Sequence, residues 1–221
     1  MVAITHLHPD HVSDLPALLW LSQAIRREAL PISGPSGNST APDFSEFLHR
    51  LFDAKNGAFP LLGPTLGGAP GEFGGGVRLD VNVVDVSKAS PATVFDQQGI
   101  RVTALGIPHG PMPTLAYRVE TAGRSVVFSS DQTGTDPKFV QFAKGANALI
   151  MHLAIGSGST SPLHAAPSVV GQVAHDAGPK RLILSHISIP SVALDPAIAD
   201  VKKFYAGPLT IGSDLQCTSV S

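Results

Sequence analysis

The 221-residue sequence contains a single cysteine, Cys217, so no disulfide can form within the chain and the redox compartment stays open. Charge is scarce. Only 14% of residues are Asp, Glu, Lys or Arg, and 15 basic side chains face 17 acidic ones for a formal net charge of −2. No run of Lys or Arg forms a basic stripe, which argues against a dedicated nucleic-acid surface. No apolar stretch reaches the ~18 to 20 residues of a membrane span. No signal peptide is visible, so a cytoplasmic location is expected for the chain as it stands. With 43% hydrophobic residues the chain is not disordered, and its length suffices for one sizeable core. What it has in quantity is glycine (22) and proline (19), which predict a loop-rich fold.

The apolar pattern alternates between strands and helices, with no internal repeat and no clear linker. Strands are expected over Val2–Thr5, Pro31–Pro35, Val77–Val86, Ile100–Ile107, Leu115–Val119, Ser125–Phe128, Ala148–Met151, Arg181–Leu184 and Leu209–Ile211. Helices are expected over Ser13 to about Leu30, Asp43 to about Lys55, Pro137–Lys144, Pro167–Ala177 and Asp195–Tyr205, with a mobile loop over 56–76. The expected class is α/β, as one domain over 1–221.

The chemistry begins at the sixth residue. Thr5-His6-Leu7-His8-Pro9-Asp10-His11 is an H-x-H-x-D-H run, and imidazole plus carboxylate is a ligand set that suits Zn²⁺. One short segment rarely closes a metal site, so further ligands are expected downstream. His109, Asp131 and His186 each stand at the end of a strand-like run. His6 and His8 share one face of an extended segment, while Asp10 and His11 point elsewhere on the turning loop. One loop can therefore serve two metals: His6, His8 and His109 on the first, Asp10, His11 and His186 on the second, with Asp131 bridging. Two such cations generate a hydroxide near neutral pH and polarise the bond under attack.

These motifs resemble the metallo-β-lactamase-fold superfamily of hydrolases, in its ribonuclease Z-like and arylsulfatase-like branch. The resemblance runs from H-x-H-x-D-H through Ile107-Pro108-His109 and Val126-Val127-Phe128-Ser129-Ser130-Asp131 to Leu182-Ile183-Leu184-Ser185-His186. It implies an αββα sandwich with the metals at one edge between the sheets. Such proteins carry a His between the bridging Asp and the last His that protonates the leaving group. His164, in Leu163-His164-Ala165-Ala166-Pro167, occupies that place. Asp10 and His164 are thus the candidate catalytic residues. Where such relatives end a strand with Glu, this chain has Met151-His152-Leu153, so His152 is a candidate substitute. The strands that normally precede H-x-H-x-D-H are missing, which implies an N-terminally shortened sandwich whose exposed sheet edge invites a homodimer.

The expected function is hydrolysis of an ester-type bond in a small molecule (phosphodiester, sulfate ester, lactone or similar) by a hydroxide held between two zinc ions, with Mn or Fe as other metals. A ribonuclease Z-like processing of transfer RNA is the enzyme alternative, and RNA is disfavoured by the near-neutral charge. A metal-binding remnant without activity is the third. His49 and His175 are expected on helix surfaces. Trp20, Tyr117 and the Phe44/Phe47 stripe are expected in the core.

Overall fold

The computed structural model describes residues 1–23, 25, 28–67 and 77–220. These fall into two units, Met1–Asp85 and Val86–Ser221.

The first unit is built on a parallel three-stranded sheet in the order β1 (Val2–Ala3), β2 (Leu30–Pro35), β3 (Leu79–Val84). Two short helical pieces follow β1, α1 (Pro9–Val12) and α2 (Leu15–Ser22). Helix α3 (Phe44–Phe52) follows β2 and starts where Asp43 accepts a hydrogen bond from the Glu46 backbone N–H at 2.9 Å. That bond satisfies one of the four amides a helix start leaves open. Phe44, Leu48 and Phe52 recur at helical spacing and are buried with Leu19 and Ile32, so one apolar stripe fastens α3 into this unit's core.

Expectation and structure differ here in three places. The first helix ends at Ser22, and the rest of the stretch expected to Leu30 falls partly on 24, 26 and 27, outside the described residues. Trp20, expected in the core, is 44% exposed, because Leu15 and Leu19 already supply the helix's buried side. Part of the expected 56–76 loop is a 3-10 helix, Pro60–Leu66, while 68–76 lie outside the described residues.

The second unit holds a seven-stranded sheet. Its order is β10 (Leu209–Ile211), β9 (Leu182–Ile187), β8 (Ala148–Leu153), β7 (Arg124–Phe128), β6 (Thr114–Thr121), β5 (Ile100–Ile107), β4 (Ala92–Gln97). Strands β4 to β7 pair antiparallel and β7 to β10 pair parallel. The β6–β7 hairpin turns at Ala122 (φ +48°) and Gly123 (φ +72°), two left-handed residues as a two-residue hairpin turn needs. Strand β4 was not expected. Its residues are mostly exposed, so the apolar alternation that marks a half-buried strand is weak there.

Helices α4 (Pro137–Ala143), α5 (Pro167–Ala177) and α6 (Ser191–Lys202) contribute to the core with Val127, Leu149, Met151, Leu182 and Leu184. Helix α6 begins four residues before the expected Asp195 and stops short of Tyr205. At Gly171 a Cβ would collide with the Val201 carbonyl, so this glycine lets α5 and α6 approach.

Strands β5, β7, β8 and β9 all point the same way, since two antiparallel steps separate β5 from β7 and the others are parallel. Their C-terminal ends therefore form one edge of the sheet; the segments leaving that edge carry His109, Asp131 and His164, and His186 lies near the end of β9 itself. Among the described residues no helix is long and apolar enough to cross a membrane.

Candidate metal centre

In the first unit the H-x-H-x-D-H run leaves β1 as extended chain and turns into α1 at Pro9, whose fixed φ suits a helix start. His6 is fully buried. Its Nδ1 lies 3.0 Å from Thr5 Oγ1, and its Nε2 lies 3.0 Å from His8 Nδ1. The His6 and His11 rings are 4.1 Å apart, and His11 Nε2 lies 3.4 Å from Asp10 Oδ2.

In the second unit His109 follows β5 and is buried. Its Nδ1 donates to the Leu163 carbonyl at 2.7 Å, which fixes the orientation of the ring. Asp131 follows β7, buried in a turn closed by two bonds. The Gln132 side-chain amide donates to the Ser129 carbonyl at 2.8 Å, and the Thr133 N–H donates to the Pro108 carbonyl at 3.3 Å. The second bond ties the Asp131 turn to the residue just before His109. Asp131 Oδ2 lies 3.4 Å from His186 Nε2 and 3.9 Å from His164 Nδ1. His164 is held by Ser161, whose Oγ accepts from the Leu163 and His164 backbone N–H groups at 3.0 and 3.2 Å.

His186 is placed by a bulge. Strand β8 pairs with β9 through His152 and Ser185, then through Leu153 and Ile187, so His186 is the extra residue, and its φ is +46°. Ser130, just before Asp131, has φ +55°. Left-handed backbone is unfavourable for both residues, and such strain gathers where a side chain must be aimed.

His152 stands where the Glu was expected and is bonded to backbone on both sides. Its Nδ1 donates to the Ser130 carbonyl at 3.0 Å and its Nε2 accepts from the Ala165 N–H at 3.1 Å, so both ring nitrogens are used by backbone. Burial pushes its pKa down to about 4, against a smaller opposing pull from the Asp131 carboxylate. A neutral His152 joins the turn carrying Asp131 to the loop carrying His164.

Within each unit the donor pairs fit a metal. Two ligands at ~2.0 to 2.1 Å from a tetrahedral ion stand about 3.3 Å apart. The pairs His6/His8, Asp10/His11 and Asp131/His186 are separated by 3.0, 3.4 and 3.4 Å. All are imidazoles or carboxylates, the donor types such an ion takes.

The family model for the β-lactamase superfamily domain matches residues 1–187, across both units. The chain belongs to that superfamily. This β-lactamase superfamily protein is 27% identical over 244 residues to a ribonuclease Z of Mycolicibacterium paratuberculosis, covering 98% of this chain and 78% of the relative. Its fold is that of the metallo-β-lactamases. Human tRNase Z, short form, superposes with a TM-score of 0.70 at 19% identity, covering 99% of this chain and 78% of that one. YhfI of Bacillus subtilis, a metallo-β-lactamase fold protein, gives 0.70 at 19%, covering 96% and 73%. The β-lactamase superfamily protein is accordingly a metal-dependent hydrolase.

Sequence reasoning missed three supports. Thr5 and Ser161 carry no signal beyond adjacency to a histidine. Gln132 lies inside a Ser-Ser-Asp-Gln-Thr-Gly stretch that reads only as a turn, yet it is fully buried.

Proposed function

We propose that the protein hydrolyses an ester-type bond in a small molecule, using two divalent metal ions, with zinc as the first choice. His6, His8 and His109 hold one ion, Asp10, His11 and His186 hold the other, and Asp131 is shared. The single observation that carries this reading is the placement of Asp131: one buried carboxylate oxygen stands 3.4 Å from His186 Nε2 and 3.9 Å from His164 Nδ1.

When bound, the ions supply a nucleophile near neutral pH and polarise the bond under attack. The chain's own groups do the rest. The Thr5 hydroxyl and the Leu163 carbonyl fix the rings of His6 and His109. His164, beside Asp131, holds the proton that passes to the leaving oxygen. Asp10 orients His11.

RNA is the second reading, and the similarity to ribonuclease Z favours it. Against it stand the net charge of −2 and the lack of a basic run.

Metal content and turnover are the test. About two ions per chain are expected by elemental mass spectrometry, with hydrolysis of p-nitrophenyl esters, phosphodiesters, sulfates or lactones. Asp131→Ala should lose one ion or both and at least 100-fold in turnover. Full activity in that variant overturns the ligand set.

A further inference from the structure

We infer that an apolar cleft in the first unit receives the acyl or aryl group of the substrate, so the enzyme prefers esters with a long apolar chain. This rests on the ester hydrolysis proposed above. The cleft encloses about 590 Å³ and is lined by Pro16, Ala17, Trp20, Phe59, Leu61 and Leu62, with Ser13, Ala58 and Pro60 completing the wall. No charged side chain lines it. Its volume lies in the range of small-molecule sites, ~300 to 1,000 Å³.

Two further observations tie this cleft to the chemistry. Ser13 also lines a smaller cavity of about 280 Å³ whose wall includes Asp10 and His11. The apolar cleft therefore begins two residues along the chain from a proposed ligand, and one side chain borders both spaces. Second, the large apolar side chains on its wall stay open to solvent: Trp20 is 44%, Phe59 46% and Leu61 64% exposed. Covering them with an apolar group removes that area from water, which is favourable by ~25 cal/mol per Å². A polyanion gains nothing on such a wall, whereas an ester carrying a hydrocarbon chain does, with its polar bond lying toward Asp10 and His11.

Trp20 is the chain's only tryptophan, so its fluorescence reports this cleft directly. The experiment compares p-nitrophenyl esters from acetate to decanoate on the metal-loaded protein. It also titrates the metal-free protein with decanoate and with acetate while recording Trp20 emission. Expected are a rise in kcat/KM of roughly two- to fourfold per added methylene and a saturable emission change with decanoate alone. Phe59→Ser and Leu61→Asp, at half-exposed and exposed positions, should flatten the chain-length slope and weaken decanoate binding. Turnover that is flat with chain length, with no emission change, overturns the inference and leaves the hydrolase reading standing. Emission change without turnover on any ester removes the ester reading, and the inference that rests on it is overturned with it. A dimer in sedimentation that is lost in Leu61→Asp, with no decanoate response, assigns the cleft to a second copy and also overturns the inference.

Discussion

Asp131 Oδ2 and His186 Nε2 lie 3.4 Å apart, and each residue depends on left-handed backbone for its aim: Ser130 at φ +55° before the aspartate, and His186 itself at φ +46°. Neither conformation is imposed by a glycine. The surrounding sheet holds both, through the β7–β8 and β8–β9 ladders.

His164 stands 3.9 Å from the same carboxylate oxygen but on its own loop. His164→Ala should lower kcat by roughly 10² to 10⁴-fold on substrates with a poor leaving group. The loss should be much smaller with p-nitrophenolate, which departs without a proton. Metal content should stay at the parent value. Equal losses on both substrate types would remove His164 from proton transfer.

Thr5→Val keeps the shape of the side chain and deletes the oxygen that sits 3.0 Å from His6 Nδ1. The ring then loses its orienting partner, and metal affinity should fall by about 10 to 100-fold. Competition with a chelator measures this. Unchanged affinity means that burial alone positions His6.

The pH dependence of folding follows from His152. Its pKa is about 4 in the folded chain against an ordinary 6.5, chiefly because burial disfavours the charged ring. Below about pH 6.5 the unfolded chain takes up a proton that the folded chain refuses. Stability from this group is therefore present above that pH and is lost as pH falls toward 4, on the order of 3 kcal/mol. Urea unfolding of metal-stripped protein between pH 4.5 and 7.5 checks it. His152→Asn should be less stable throughout and show a shallower pH slope, and a slope equal to the parent's would assign the effect to other groups.

Gly171→Val places a branched side chain against the Val201 carbonyl, where α5 and α6 approach. A loss of about 1–3 kcal/mol is expected in urea unfolding, with the metal content of the folded fraction retained. A variant as stable as the parent would show that the two helices can separate without cost.

Much of this was readable from the chain. The H-x-H-x-D-H run and the strands ending in His109, Asp131 and His186 stand out because ligand types and apolar periodicity are both local signals. Strands β5 to β10 and helix α5 lie close to their expected limits for the same reason. Strand β4 was not readable, since its exposed residues do not alternate. Nor was the role of His152, because its partners are two backbone groups brought near only by the folded sheet. Trp20 misled because a large aromatic side chain at helical spacing usually packs inward, and here the inward positions are taken by Leu15 and Leu19.

The bulge at His186 makes the site sensitive to chain length rather than to side-chain chemistry. Removing any one residue from 183–185 would let β9 pair with β8 without interruption, giving a more regular ladder. It would also rotate the remaining side chains to the opposite face and carry the imidazole away from Asp131. In this strand a single-codon deletion is the change that the sheet tolerates and the chemistry does not.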